Sequence, residues 1–154
     1  MQQAFDDIDR NILRLLQRDA KLTSTQIAEA VGLSQTPCLR RIKNLEAAGV
    51  IEKYVAVLNP DALGLGMTFF ARVWLTGQDE TTVDRFAKEV QRIPDVVECH
   101  LMAGDCDFLL RILAKDITAY RRFQIDFLNS LPGVQNVKTE IPMQRIKYSS
   151  AVPI

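Results

Sequence analysis

Between Leu22 and Gly49 the chain carries two short helical patterns, each with a start and a stop signal, and only Gly32-Leu33-Ser34 separates them. That punctuation forbids one long helix and forces two short ones to meet across a tight turn. In the first, Thr23 and Gln26 stand at capping-box spacing, Ile27, Ala30 and Val31 supply the apolar side, and Gly32 ends the run. The second, SQTPCLRRIKNLEAAG from Ser34 to Gly49, starts on a serine whose hydroxyl can cap a first-turn N–H. Pro37 falls within that first turn, where no intrahelical acceptor awaits its missing N–H, and Gly49 suits the left-handed residue past the end. At about 100° per residue, Cys38, Ile42 and Leu45 stack on one side, while Thr36, Arg40, Lys43 and Asn44 face the other.

A cationic outer face is by itself ordinary solvated surface. The preceding capped helix changes its meaning, because two short amphipathic helices across a tight turn make a helix-turn-helix, whose second helix enters the major groove N-terminus first. Asp7 to Gln17, with Ile8, Ile12, Leu15 and Leu16 at helical spacing, adds a third helix in front, and Ile51 to Leu58 reads as a short strand behind. The expected DNA contacts are Gln35, Thr36, Leu39, Arg40 and Lys43, with Ser34 on phosphate. Arg40 can take a guanine edge or a phosphate, and Lys43 suits a phosphate. Arg41 sits at the flank, placed equally well to pair with an acid of its own domain.

The formal charge is zero, from 19 Lys and Arg against 19 Asp and Glu. Neutrality argues weakly against a nucleic-acid partner, yet Gln35 to Asn44 holds Arg40, Arg41 and Lys43 with no acid, and a dimer presents that patch twice. The start, MQQAFDDIDR, is acidic and polar and no apolar run is long enough to span a bilayer, so a cytoplasmic protein is expected. Cys38, Cys99 and Cys106 are odd in number and lack metal-ligand spacing, which points to free thiols and to no metal or cofactor.

Asn59-Pro60-Asp61 stops the first region, so the expected division is a DNA-reading unit with its linker strand at 1–60 and a second unit at 61–154. In the second, Asp61 to Gly66 has room for a helical turn, and Met67 to Thr76 is aromatic and β-branched, hence a strand. Val83, Phe86, Ala87 and Val90 make Glu80 to Ile93 an amphipathic helix. Val96 to Ala103 and Asp107 to Lys115 read as a hairpin whose tip is Gly104-Asp105. Ile117 to Leu131 is a second helix, and Val134 to about Tyr148 a last strand, irregular at Pro142. Both helices end on Pro just before a strand, at Ile93-Pro94 and Leu131-Pro132. The order βαββαβ predicts an α+β, ferredoxin-like plait.

Helices covering one sheet face should leave the other polar if it meets water. Instead Thr68, Phe70, Arg72, Trp74 and Thr76 alternate with Met67, Phe69, Ala71, Val73 and Leu75, and both sets hold large apolar groups. Burying one such side chain is worth about 1.5–3 kcal/mol. A second subunit is expected to cover that face.

The hairpin tip Met102-Ala103-Gly104-Asp105-Cys106-Asp107 is either simply a good turn or a ligand loop, in which Gly104 allows close approach and Asp105 or Asp107 accepts from an ammonium group. Catalysis is excluded on geometry, because Cys99 and His100 are adjacent on a strand and face opposite ways, so no nucleophile-base pair forms. A sensing module whose N-terminal helices bind a protein partner is the other class the pattern admits.

The residues IDRNILRLLQRDAKLTSTQIAEAVGLS, TPCLRRIKNLEAAGVI, LNP, ECHLMAGDCDFLLRI and LPGV, in that order, resemble the Lrp/AsnC, or feast/famine, transcription regulators over nearly the whole chain. The resemblance implies a winged helix-turn-helix followed by a RAM/ACT-like ferredoxin plait, binding to double-stranded DNA, and dimers that assemble further, as relatives form octamers. It also implies an amino-acid effector held near G-D-x-D at a contact between dimers, by Met102, Ala103, Gly104, Asp105 and Asp107, with Thr139 a further member. Cys106 occupies the x position, where many relatives carry an aromatic residue.

Overall fold

A computed structural model describes residues 5–154, so the first four residues of the expected 1–60 unit lie outside it. The chain divides into two compact units: one ends at Val57 and takes in Lys147–Ile154, the other spans Leu58–Ile146.

The first unit holds α1 (Asp7–Arg18), α2 (Ser24–Ala30) and α3 (Gln35–Ala47). The capping box forms as expected: the Thr23 hydroxyl accepts from Gln26 N at 3.3 Å and Gln26 Oε1 accepts from Thr23 N at 2.8 Å. Gly32 at φ 70° and Gly49 at φ 69° end α2 and α3 in the left-handed region. Beyond them Leu33 N donates to Ala28 O at 2.9 Å and Val50 N to Leu45 O at 3.0 Å, satisfying carbonyls the helices leave unpaired. Ile12, Ile27, Ala28, Cys38, Ile42 and Leu45 form the buried core.

Two expectations fail here. Ser34 holds the N-cap position, but its hydroxyl makes no capping bond. Among the described residues the side-chain caps Asp6, Thr23, Asp79 and Asp116 each accept from the third helical residue's N–H; in α3 that residue is Pro37, which has none. The expected strand Ile51 to Leu58 also forms no ladder. Its β-prone residues meet no neighbouring strand among the described residues, and Tyr54, Val55, Val57 and Leu58 stay exposed.

The second unit opens with a 3-10 turn at Asp61–Leu63, ended by Gly64 at φ 73°. There follow β1 (Met67–Leu75), α4 (Glu80–Val90), β2 (Val96–Leu101), β3 (Phe108–Ala114), α5 (Ile117–Asp126) and β4 (Val134–Glu140). The sheet order is β2-β3-β1-β4 with antiparallel neighbours, the βαββαβ plait anticipated. Helix α5 stops sooner than expected, giving way to a 3-10 turn at Leu128–Ser130, and β4 ends at Glu140 instead of near Tyr148, just before Ile141-Pro142.

Both helices cover one face. Phe69, Ala71, Val73, Leu110 and Ile112 pack there against Phe86 and Val90 of α4 and Tyr120 and Phe123 of α5. The Phe69 and Tyr120 rings stack with centroids 4.0 Å apart. The opposite face carries Phe70, Trp74, Leu109 and Leu113, none of them buried, beside Arg72 and Arg111. Its cations are already paired, Arg111 Nη2 with Glu98 at 2.6 Å and Arg72 Nε with Glu140 at 3.4 Å. No described helix is long and apolar enough to cross a membrane.

Candidate nucleic-acid interface and ligand loop

Helix α3 sorts its side chains by the 3.6-residue period. Cys38, Ile42 and Leu45 are buried, while Ser34, Gln35, Thr36, Leu39, Arg40 and Lys43, the six residues expected to meet DNA, are all exposed. Leu39 is 39% exposed, an apolar group among polar ones that suits a thymine methyl.

Arg41 turns the other way. Its Nη1 lies 2.8 Å from Asp9 Oδ1 and 2.8 Å from Asp6 Oδ2. The Asp6 carboxyl is held below its usual range, chiefly by the Asp9 N–H it caps and then by Arg41, and the two acids raise the Arg41 guanidinium. The cation α3 shares with α1 is therefore neutralised, and Arg40 and Lys43 have no ion-pair partner among the described residues. Sequence reasoning missed Ser24, the first residue of α2, whose Oγ accepts from Gln35 Nε2 at 3.3 Å. Its signal was positional: each residue opens a helix of the pair.

The hairpin tip separates the ligand candidates. Met102, Ala103, Gly104 and Asp105 are exposed together. The Asp105 carbonyl accepts from Trp74 Nε1 at 2.6 Å, and its carboxylate stands 3.9 Å from Arg72 Nη1. Asp107 faces inward: its buried carboxylate accepts from Leu75 N at 2.7 Å and Gln78 Nε2 at 2.8 Å. Thr139 lies opposite Ala71 on the helix-covered face, its hydroxyl 2.5 Å from the Tyr120 hydroxyl. Cys106 is buried.

Cys99 packs toward the core and burial pushes its thiol up to about 11, whereas His100 is exposed beside Glu98 at 3.8 Å. The two do face opposite ways.

A family model of the Lrp/AsnC ligand binding domain matches residues 68–152, and one of winged helix-turn-helix DNA-binding domains matches residues 5–52. The leucine-responsive regulatory proteins of Klebsiella pneumoniae and Escherichia coli K12 are each 38% identical over 150 residues, 97% of this chain and 92% of theirs. Among solved structures, a transcriptional regulator from Neisseria meningitidis in complex with L-Met aligns at TM-score 0.93 and 35% identity, over 97% of both chains. An AsnC family transcriptional regulator from Agrobacterium tumefaciens aligns at TM-score 0.92 and 38% identity, again over 97% of both. Matched in both halves and along nearly all its length, the chain belongs to the Lrp/AsnC family of transcriptional regulators, with a helix-turn-helix DNA-binding domain followed by a ligand-binding domain.

Proposed function

We propose that this regulator reads double-stranded DNA with Ser34, Gln35, Thr36, Leu39, Arg40 and Lys43 and responds to an amino acid that alters its assembly. The observation that carries the DNA part is the division of labour on α3, where Arg41 is tied to Asp6 and Asp9 while Arg40 and Lys43 are exposed beside a polar helix start. Pro37 adds to it. With no side chain capping α3, the Ser34 hydroxyl and the first-turn N–H groups remain available to a phosphate at the positive end of the helix. Arg40 takes a guanine edge or a phosphate and Lys43 a phosphate.

In this reading residues 1–60 read DNA in the cytoplasm and residues 61–154 sense and assemble. The sheet face bearing Phe70, Trp74, Leu109 and Leu113 packs against a second copy, since its charges are internally paired and its remaining groups are apolar. Dimers assemble further, to octamers, and the ligand acts by binding one assembly state better than another. An amino acid is the favoured ligand because the Neisseria relative is seen with L-Met and because the exposed Asp105 carboxylate suits an ammonium group. Met102, Ala103 and Gly104 border that carboxylate. Asp107 supports the loop from behind, and Thr139 would join the site only by leaving Tyr120.

The test is binding-site selection from a randomised DNA pool, then sedimentation on the selected site with each of the twenty amino acids. Enrichment of a two-fold site and a ligand-dependent shift in assembly or affinity are expected. No enrichment, or no shift with any amino acid, overturns the respective half.

A further inference from the structure

The first unit has a second built feature, on α1, that the DNA face does not use. Arg14 and Gln17 stand three residues apart and so lie one above the other on an exposed side of the helix. Ser150–Ile154 runs along them. Gln17 takes both main-chain groups of Val152: its Oε1 accepts from the N–H, and its Nε2 donates to the carbonyl at 3.2 Å. Arg14 Nε donates to the Ile154 carbonyl at 2.8 Å, and Arg14 Nη1 is steadied by Asn11 Oδ1 at 2.8 Å.

One side-chain amide is here doing the work of a neighbouring strand, which offers a residue the same donor and acceptor. The spacing fits that use. In extended chain, residues 152 and 154 aim their main-chain groups to one side and residue 153 to the other. Residue 153 is proline, so no N–H is left unpaired on the far side. The segment also borders a cavity of about 510 Å3 whose lining includes Leu13, Leu16, Ile51, Tyr54, Val152 and Ile154.

We infer that Arg14 and Gln17 form a docking site for extended main chain, occupied by this chain's own Ser150–Ile154, and that the docking gives the DNA-reading unit a second, reversible tether. The chain leaves the unit after Val57 and re-enters it at Lys147, so one hold is covalent and the other rests on hydrogen bonds at Val152 and Ile154. Such bonds are individually weak in water, which lets the second hold open and close. A reader held twice searches fewer orientations than one on a single linker, so paired readers meet paired half-sites at higher effective concentration.

The inference rests on the proposed reading of DNA, and its test keeps the two apart. In the full chain, Gln17→Ala removes the side-chain partner and Val152→Pro removes the N–H it accepts from. Hydrogen exchange across residues 150–154 is followed by mass spectrometry, and affinity is measured for selected DNA with one half-site and with two. Gln17→Ala is expected to exchange faster over that segment, and both variants are expected to lose roughly tenfold in affinity for the paired site and to hold the single site within about twofold. Exchange equal to the parent in Gln17→Ala overturns the docking, and faster exchange with unchanged paired-site affinity overturns the tether. Failure of the parent to bind the single site overturns the reading of DNA, while the exchange arm still decides the docking.

Discussion

Arg41 Nη1 lies 2.8 Å from the Asp9 carboxylate and equally close to Asp6, so the cation nearest the middle of α3 belongs to the three-helix core and not to its outer face. Two acids from α1 and its cap therefore clamp α3 from behind.

That clamp predicts a pH dependence. The Asp6 pKa is lowered in the folded state, by the Asp9 N–H first and Arg41 after it. A lowered carboxyl stabilises fully above its unfolded value of about 3.9 and loses that contribution as pH falls through the folded value. Glu98, lowered chiefly by Arg111, acts with the same sign. Urea unfolding from pH 6 down to pH 2.5 is expected to show stability falling below about pH 4, and less steeply in Arg41→Met. Identical slopes for the two proteins would remove Arg41 from this role.

The hairpin separates two aspartates that look interchangeable in G-D-x-D. Asp107→Ala strands the buried Leu75 N–H and is expected to cost about 1–3 kcal/mol in urea unfolding. Asp105→Ala, at an exposed carboxylate, is expected to change stability by under about 0.5 kcal/mol and to abolish the thermal shift produced by the amino acid that stabilises the parent. An undiminished shift in Asp105→Ala would take that residue out of the ligand site.

The open sheet face gives a prediction about assembly. Trp74→Glu with Phe70→Glu places two charges among the half-exposed apolar groups without touching the buried row Phe69, Ala71 and Val73. Light scattering at micromolar concentration is expected to show a folded monomer for the double variant and a dimer or larger species for the parent. A monomeric parent would refute the covered face.

Features set by local chemistry were legible in the sequence: the Thr23–Gln26 capping box, the glycine stops at 32 and 49, and the period-two pattern of β1 and β3. What escaped depends on distant chain. Residues 51–58 have strand composition, but a ladder needs a partner that composition does not reveal. Asp107 read as a free acid because the N–H it accepts from, Leu75, lies 32 residues away, and the return of Val152 to Gln17 spans 135. The lost Ser34 cap was local and still missed: Pro37 was weighed as harmless to the helix, not as the absent donor for the cap.

The most direct measurement compares Arg40→Ala and Arg41→Ala for affinity to a selected operator, alongside their thermal midpoints. Arg40→Ala is expected to keep the parent's midpoint and lose about 10–100-fold in affinity, equivalent to about 1–3 kcal/mol. Arg41→Ala is expected to lower the midpoint while its folded fraction binds nearly as the parent does. Parent-like operator affinity in Arg40→Ala would contradict the assignment of α3 as the helix that reads DNA.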